Sequence, residues 1–107
     1  MDSIDLRMQS FVGWHGEIPQ EARRLEDHEA RSHAAPWLRH HLGRGIVHSY
    51  VIGYQLGERW WTLFFERAFS AATEGAERWW VEAYDCNGRS WSGNYYYLLT
   101  ENRWGSV

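Results

Sequence analysis

Histidines, one cysteine and a few carboxylates are the residues with which this chain could do chemistry, and their spacing argues against it. His28, Glu29 and His33 lie in the run HEARSH. A zinc-protease helix needs its two histidines four residues apart, so that both reach one metal. These are five apart, a swing of about 140° around a helix, and Glu29 with His33 has the spacing of an ordinary i,i+4 pair. His40 and His41 follow Pro36, beyond the expected end of that helix. No metal and no cofactor are expected.

Cys86 sits in DCNGR at the lip of an expected hairpin. A nucleophilic thiol needs a base, an orienting group and an electropositive setting, and the adjacent Asp85 opposes thiolate formation. Glu66, Glu82 and Asp85 could pair for acid–base catalysis, but with Arg67 and Arg78 close by, ion pairs are the simpler expectation. No glycine-rich loop precedes GK[ST], the phosphate-cradling signature. A single cysteine excludes zinc fingers and the deaminase zinc pattern. The chain is therefore expected not to be an enzyme.

Aromatic residues carry the stronger signal. Eight Trp, six Tyr and four Phe stand among 107 residues, and each buried aromatic removes about 150–250 Å² from water. A chain of this length forms one domain, expected over residues 1–107, burying roughly 65% of its unfolded surface. The lone cysteine fits a reducing compartment. The opening MDSIDLRMQS has no apolar signal region, and no apolar run is long enough to span a membrane. A cytoplasmic protein without membrane contact is expected.

Several elements must position these residues. Alternation in IDLRMQSFVGW predicts a short first strand. EIPQEARRLEDHEARSHAAPW predicts a helix, with Pro19 in its first turn and Pro36 ending it; PWLRHHL predicts a second helical piece. From residue 45 onward the pattern is an antiparallel meander. A two-residue turn at Gly57-Glu58 would place Tyr54 opposite Trp61, Ile52 opposite Leu63 and Tyr50 opposite Phe65. Asn87-Gly88 predicts a two-residue hairpin with Trp80 opposite Tyr95 and Tyr84 opposite Trp91. The fold class is α+β: a four- to five-stranded meander sheet with one N-terminal helix on one face.

The run ERWW occurs twice, at Glu58–Trp61 and Glu77–Trp80. Adjacent residues of a strand point to opposite faces, so one tryptophan of each pair builds the core and the other needs a different partner. A thin-faced helix can cover only part of a sheet, so the second aromatic face is either closed by the N-terminal strand, Trp37 and Trp104 as plain core or left as an interface, which contiguous apolar patches beyond a few hundred Å² mark. Trp, Tyr and Arg are also the types enriched at binding hot spots. The expected partner-binding set is Trp60, Phe64, Trp80, Tyr84, Trp91, Tyr95, Tyr97, Arg59 and Arg78, with Glu21, Glu26 and Glu29 of the acidic helix at its rim.

Charge adds to this. Residues 1–29 carry seven acids against three arginines, and all eleven basic residues of the chain are arginine. An acidic front half argues against a direct nucleic-acid surface, and no RNA-binding sheet signature accompanies Tyr95-Tyr96-Tyr97. It suits a basic, nucleic-acid-handling protein complex as partner, with a homodimer as a further possibility. By class analogy alone, the expectation is a stoichiometric binder or inhibitor, such as an immunity protein or a phage-encoded, anti-CRISPR-like blocker of bacterial defence. The alternative is a small-molecule- or glycan-binding domain, or a small enzyme, with a pocket between helix and sheet that gathers His48, Tyr50 and Arg67.

Overall fold

The computed structural model describes residues 7–8, 10–11, 18–42, 50–67 and 75–106, the side chains of 37–42 excepted. Its elements are β1 (Arg23–Arg24), α1 (Asp27–Leu42), β2 (Tyr50–Leu56), β3 (Arg59–Arg67), β4 (Ala76–Asp85), β5 (Ser90–Leu98) and β6 (Arg103–Ser106). The six strands form one antiparallel sheet in chain order. The class is the expected α+β, but the sheet has six strands where four to five were expected, with short β1 and β6 at its edges.

The first hairpin has the expected register, with Tyr54 opposite Trp61, Ile52 opposite Leu63 and Tyr50 opposite Phe65. Gly57 supplies the positive φ, 61°, at the first central position of its turn, where a II′ hairpin wants glycine. The second hairpin departs from expectation by one residue. Trp79, not Trp80, opposes Tyr95, and Ala83, not Tyr84, opposes Trp91. Asp85 is the cause. Its Oδ1 accepts the N–H groups of Asn87 and Arg89 at 3.0 and 2.9 Å, and its Oδ2 accepts Arg89 Nε at 2.8 Å. Gly88 N–H bonds Asp85 O, Asp85 N–H bonds Arg89 O, and Gly88 takes φ 77°. This is a three-residue loop closing on a left-handed glycine, and its odd length shifts every pair across the hairpin.

The helix also differs from its expected span. Ala22 N–H closes a turn on Pro19 O, and Arg23–Arg24 pair with Gln55 and Tyr54 as β1. The helix starts only at Asp27, where Glu29 Oε1 accepts the Glu26 N–H at 3.3 Å, the carboxylate half of a capping box. It then runs through Pro36 to Leu42 as one piece. A proline inside a helix forfeits the bond to the carbonyl four residues earlier, here that of Ser32. Ser32 and Pro36 are both exposed, so water can take that carbonyl. Near the N-terminus Arg7–Met8 is a helical turn, not a strand, with Phe11 N–H on Met8 O; residues 4–6, 9 and 12–14 of the expected strand lie outside the described residues.

Both faces of the sheet have cores. One gathers Ile52, Trp61, Leu63, Phe65, Trp79, Val81 and Ala83 under Met8 and Phe11. The Phe11 ring meets Tyr95, Trp104 and Phe65 edge-on at 4.7, 5.2 and 5.5 Å and lies over Trp91 at 6.1 Å. Arg7 ties this segment down, with Nη1 on Glu77 Oε2 at 2.6 Å, its guanidinium over Tyr97, and its carbonyl accepting Trp104 Nε1 at 2.7 Å. The other core sets Leu25, Ala30 and Ala34 against Val51, Trp60, Phe64 and Tyr84. Gly53 permits the close approach: a Cβ there would lie 2.8 Å from Ala30 Cβ.

Candidate protein-interaction face

On the helix side, α1 contacts β2 and β3. Beyond it the register lays out two rows. Glu66, Trp80 and Asn94 form one across β3, β4 and β5; Arg78, Tyr96 and Gly105 form the next across β4, β5 and β6. Arg78, Trp80 and Tyr96 are half-buried, whereas Ser92, Asn94 and Arg103 are exposed. Arg, Trp and Tyr thus stand side by side at the surface, the composition of a binding hot spot.

Trp80 and Tyr96 are distinguished by what they do not touch. Each other described tryptophan or tyrosine ring packs against a second ring or lies under a guanidinium, as Trp60 does on His33, Trp79 on Phe65, Tyr84 on Phe64, Trp61 under Arg59 and Tyr54 under Arg24. Among the described residues, Trp80 and Tyr96 alone have no such contact. They are nevertheless held in place. Trp80 Nε1 donates to Glu82 Oε1 at 2.9 Å. The Tyr96 ring lies against Gly105, where a Cβ would be only 2.6 Å from it. Fixing an aromatic before binding removes part of the ordering cost of association.

Glu82 is the buried anchor of this arrangement, 1% exposed. Besides Trp80 it accepts Tyr84 OH on Oε2 at 3.3 Å. A buried carboxylate is tolerable only with its oxygens bonded. The pair acts back on the phenol: burial first, then the negative charge of Glu82 and the bond to it, raise the Tyr84 pKa well above its ordinary value.

The residues named from the sequence divide between the two faces. Trp80 and Arg78 fall on the helix-side patch. Trp60 and Phe64 are on the same face but buried by α1, with Trp60 stacked on His33 at 5.1 Å. Tyr84 is buried as well. These three are corrected from partner-facing to core. Trp91, Tyr95 and Tyr97 lie on the opposite face, packed with Phe11 or Trp104, where Tyr97 is buried and is likewise corrected to core, and Arg59 covers Trp61 there at the hairpin end. Burial alone raises the Tyr95 pKa. Glu21 and Glu26 are exposed, but Glu29 is engaged with Arg23 at 2.9 Å and with the helix cap; the hydrogen bond from Arg23 is the main reason its pKa lies below the ordinary glutamate value. The one-residue shift at Asp85 explains the division, because it exchanges the faces of β5 relative to β4. Tyr96, absent from the expected set, is what that shift brings beside Arg78.

The remaining candidates for chemistry are placed apart. Asp85 is consumed by its loop, and Glu82 faces the other side of the sheet. No cluster of three or more metal-ligating side chains occurs among the described residues. Tyr50 and Arg67 lie on the Phe11 side, and His48 is outside the described residues. A shallow depression of about 260 Å³, bordered by Glu21, Arg23, Gln55, Leu56 and Gly57, lies at the β2–β3 turn, away from the aromatic patch. No described helix is long and apolar enough to cross a membrane. Comparison of the chain with protein-family models, curated proteins and solved structures gives no match, so the functional reading rests on the face itself.

Proposed function

We propose that this chain is a small, non-enzymatic protein-interaction module of the cytoplasm, binding a protein partner stoichiometrically through Arg78, Trp80 and Tyr96. One observation carries the reading: among the described tryptophan and tyrosine rings, Trp80 and Tyr96 alone have neither a ring partner nor a guanidinium over them, yet a buried carboxylate and a glycine fix their orientation. Rigid aromatics beside an arginine are what a hot spot requires. Stoichiometric inhibitors, such as immunity proteins or phage-encoded blockers of bacterial defence, are the class such a module resembles in size and charge, by analogy only. Exposed Glu21 and Glu26 lie at a separate end of the sheet, where they would steer a basic partner by charge.

Photo-crosslinking tests this. An ultraviolet-activated residue at Asn94, beside Trp80, should capture a partner that the same group at Asn87 does not, and Arg78→Glu should abolish the capture while leaving the circular dichroism and melting curve intact. Capture that is indifferent to Arg78→Glu would sink the reading.

A further inference from the structure

Among the described residues the sheet ends at β6, and the direction of its backbone groups can be worked out. At one end of the β4–β5 ladder Asp85 N–H bonds Arg89 O at 3.1 Å, and at the other Leu99 N–H bonds Gly75 O at 3.0 Å. In an antiparallel strand the N–H and C=O of one residue point to the same side and alternate along the chain. Odd-numbered residues of β5 therefore face β4, and Tyr96 and Leu98 face β6. Their partners Gly105 and Arg103 face back. Trp104 and Ser106 then turn their N–H and C=O groups outward, away from the sheet, in a strand with no proline, a template for another strand. The opposite edge is only the two-residue β1.

We propose that β6 pairs with β6 of a second copy of the chain, antiparallel, about a two-fold axis at Gly105. The outward groups permit only registers that pair even-numbered residues with even-numbered ones. Of these, Trp104 opposite Ser106 of the second copy sets a large side chain beside a small one on the Phe11 side, twice. Trp104 opposite itself would crowd two indoles. In the chosen register Gly105 meets Gly105 as a non-hydrogen-bonded pair, the pair type whose backbones approach closest. The Tyr96 ring already lies over Gly105, so the two Tyr96 rings meet above the paired glycines. A two-fold interface of this kind is self-complementary. On the helix side it joins the two patches into one surface, with Arg78, Tyr96 and Gly105 of each copy in a single row. The backbone argument stands without the reading of that patch as a binding face.

Ser106→Pro gives the decisive variant. Proline removes an N–H that points away from β5, so the monomer loses no ladder bond, which is where edge strands tolerate proline. Sedimentation across a dilution series should show native mass rising from 12.7 kDa toward twice that value, and Ser106→Pro should hold it at the monomer with an unchanged melting curve. Tyr96→Ala should weaken dimerisation and leave the monomer folded. A wild-type chain that stays monomeric at every concentration, or a dimer that survives Ser106→Pro, overturns the proposal. In the second case, loss of the dimer in Arg78→Glu would assign self-association to the aromatic patch instead. A chain that stays monomeric leaves the crosslinking test of partner binding intact, and the mass of the crosslinked product tells a different protein from a second copy, so the two readings fail separately.

Discussion

The indole N–H of Trp80 is held by Glu82 Oε1 at 2.9 Å, and Glu82 itself is buried between Trp80 and Tyr84 on the helix-side face. A carboxylate thus links a half-exposed ring to the core. Glu82→Ala leaves the Tyr84 hydroxyl without this acceptor, at a cost of about 1–3 kcal/mol per unpaired buried group. Urea titration should show that loss, and the Trp80 indole N–H resonance should move toward the shift of a water-exposed indole. An unmoved resonance would show that Glu82 does not position the ring.

The two tryptophans at the end of the second ERWW should respond very differently to truncation. Trp79 is 6% exposed and packs on Phe65, so Trp79→Ala should cost about 3–5 kcal/mol. Trp80 is half-buried and has no ring partner among the described residues, so Trp80→Ala should stay within the ordinary range of about 0.5–3 kcal/mol. Equal losses in chemical denaturation would contradict the division of roles. In the first ERWW both rings are buried, because α1 reaches Trp60, and no such asymmetry is expected between Trp60 and Trp61.

Much of this was legible from periodicity. The alternation in β2 and β3, with glycine at a two-residue turn, was enough to give the register of Tyr54 with Trp61 and the existence of a second aromatic face. Two things were hidden. The carboxylate of Asp85 chooses a three-residue loop over the two-residue hairpin that Asn87-Gly88 favours locally, and the aspartate preceding Cys86 was the available signal for it. The closure of the Phe11 side depends on a segment distant in sequence, whose single phenylalanine meets four aromatic rings; no local pattern marks it. The helix boundary was lost because Pro19 suits a turn as well as a first helical turn, and Arg23–Arg24 become a strand only through pairing with β2.

Gly53 is where helix and sheet come closest. A Cβ there would stand 2.8 Å from Ala30 Cβ and 3.1 Å from a Leu25 methyl. Ala30 Cβ has no rotamer by which to retreat, so Gly53→Ala must push α1 outward, at about 1–3 kcal/mol for an overpacked site. A double variant with Ala30→Gly should recover most of the loss. If Gly53→Ala melts like the wild type, the helix does not sit this close.

Alkaline pH offers a test of the buried Tyr84–Glu82 contact. Burial, the charge of Glu82 and the bond to it all raise the Tyr84 pKa in the folded chain, while the unfolded phenol titrates near its ordinary value of about 10. Below that value both states hold the proton, and the contribution to stability is constant. Above it the unfolded chain releases the proton while the folded chain keeps it, so the unfolded state binds fewer protons and stability falls as pH rises. Denaturation midpoints measured from about pH 8 to 11 should therefore drop for the wild type. The drop should be shallower for Tyr84→Phe, which starts lower for want of the hydroxyl and keeps the part that burial of Tyr95 contributes. Parallel curves for the two chains would mean that the Tyr84 phenol is not held in its protonated form by the fold.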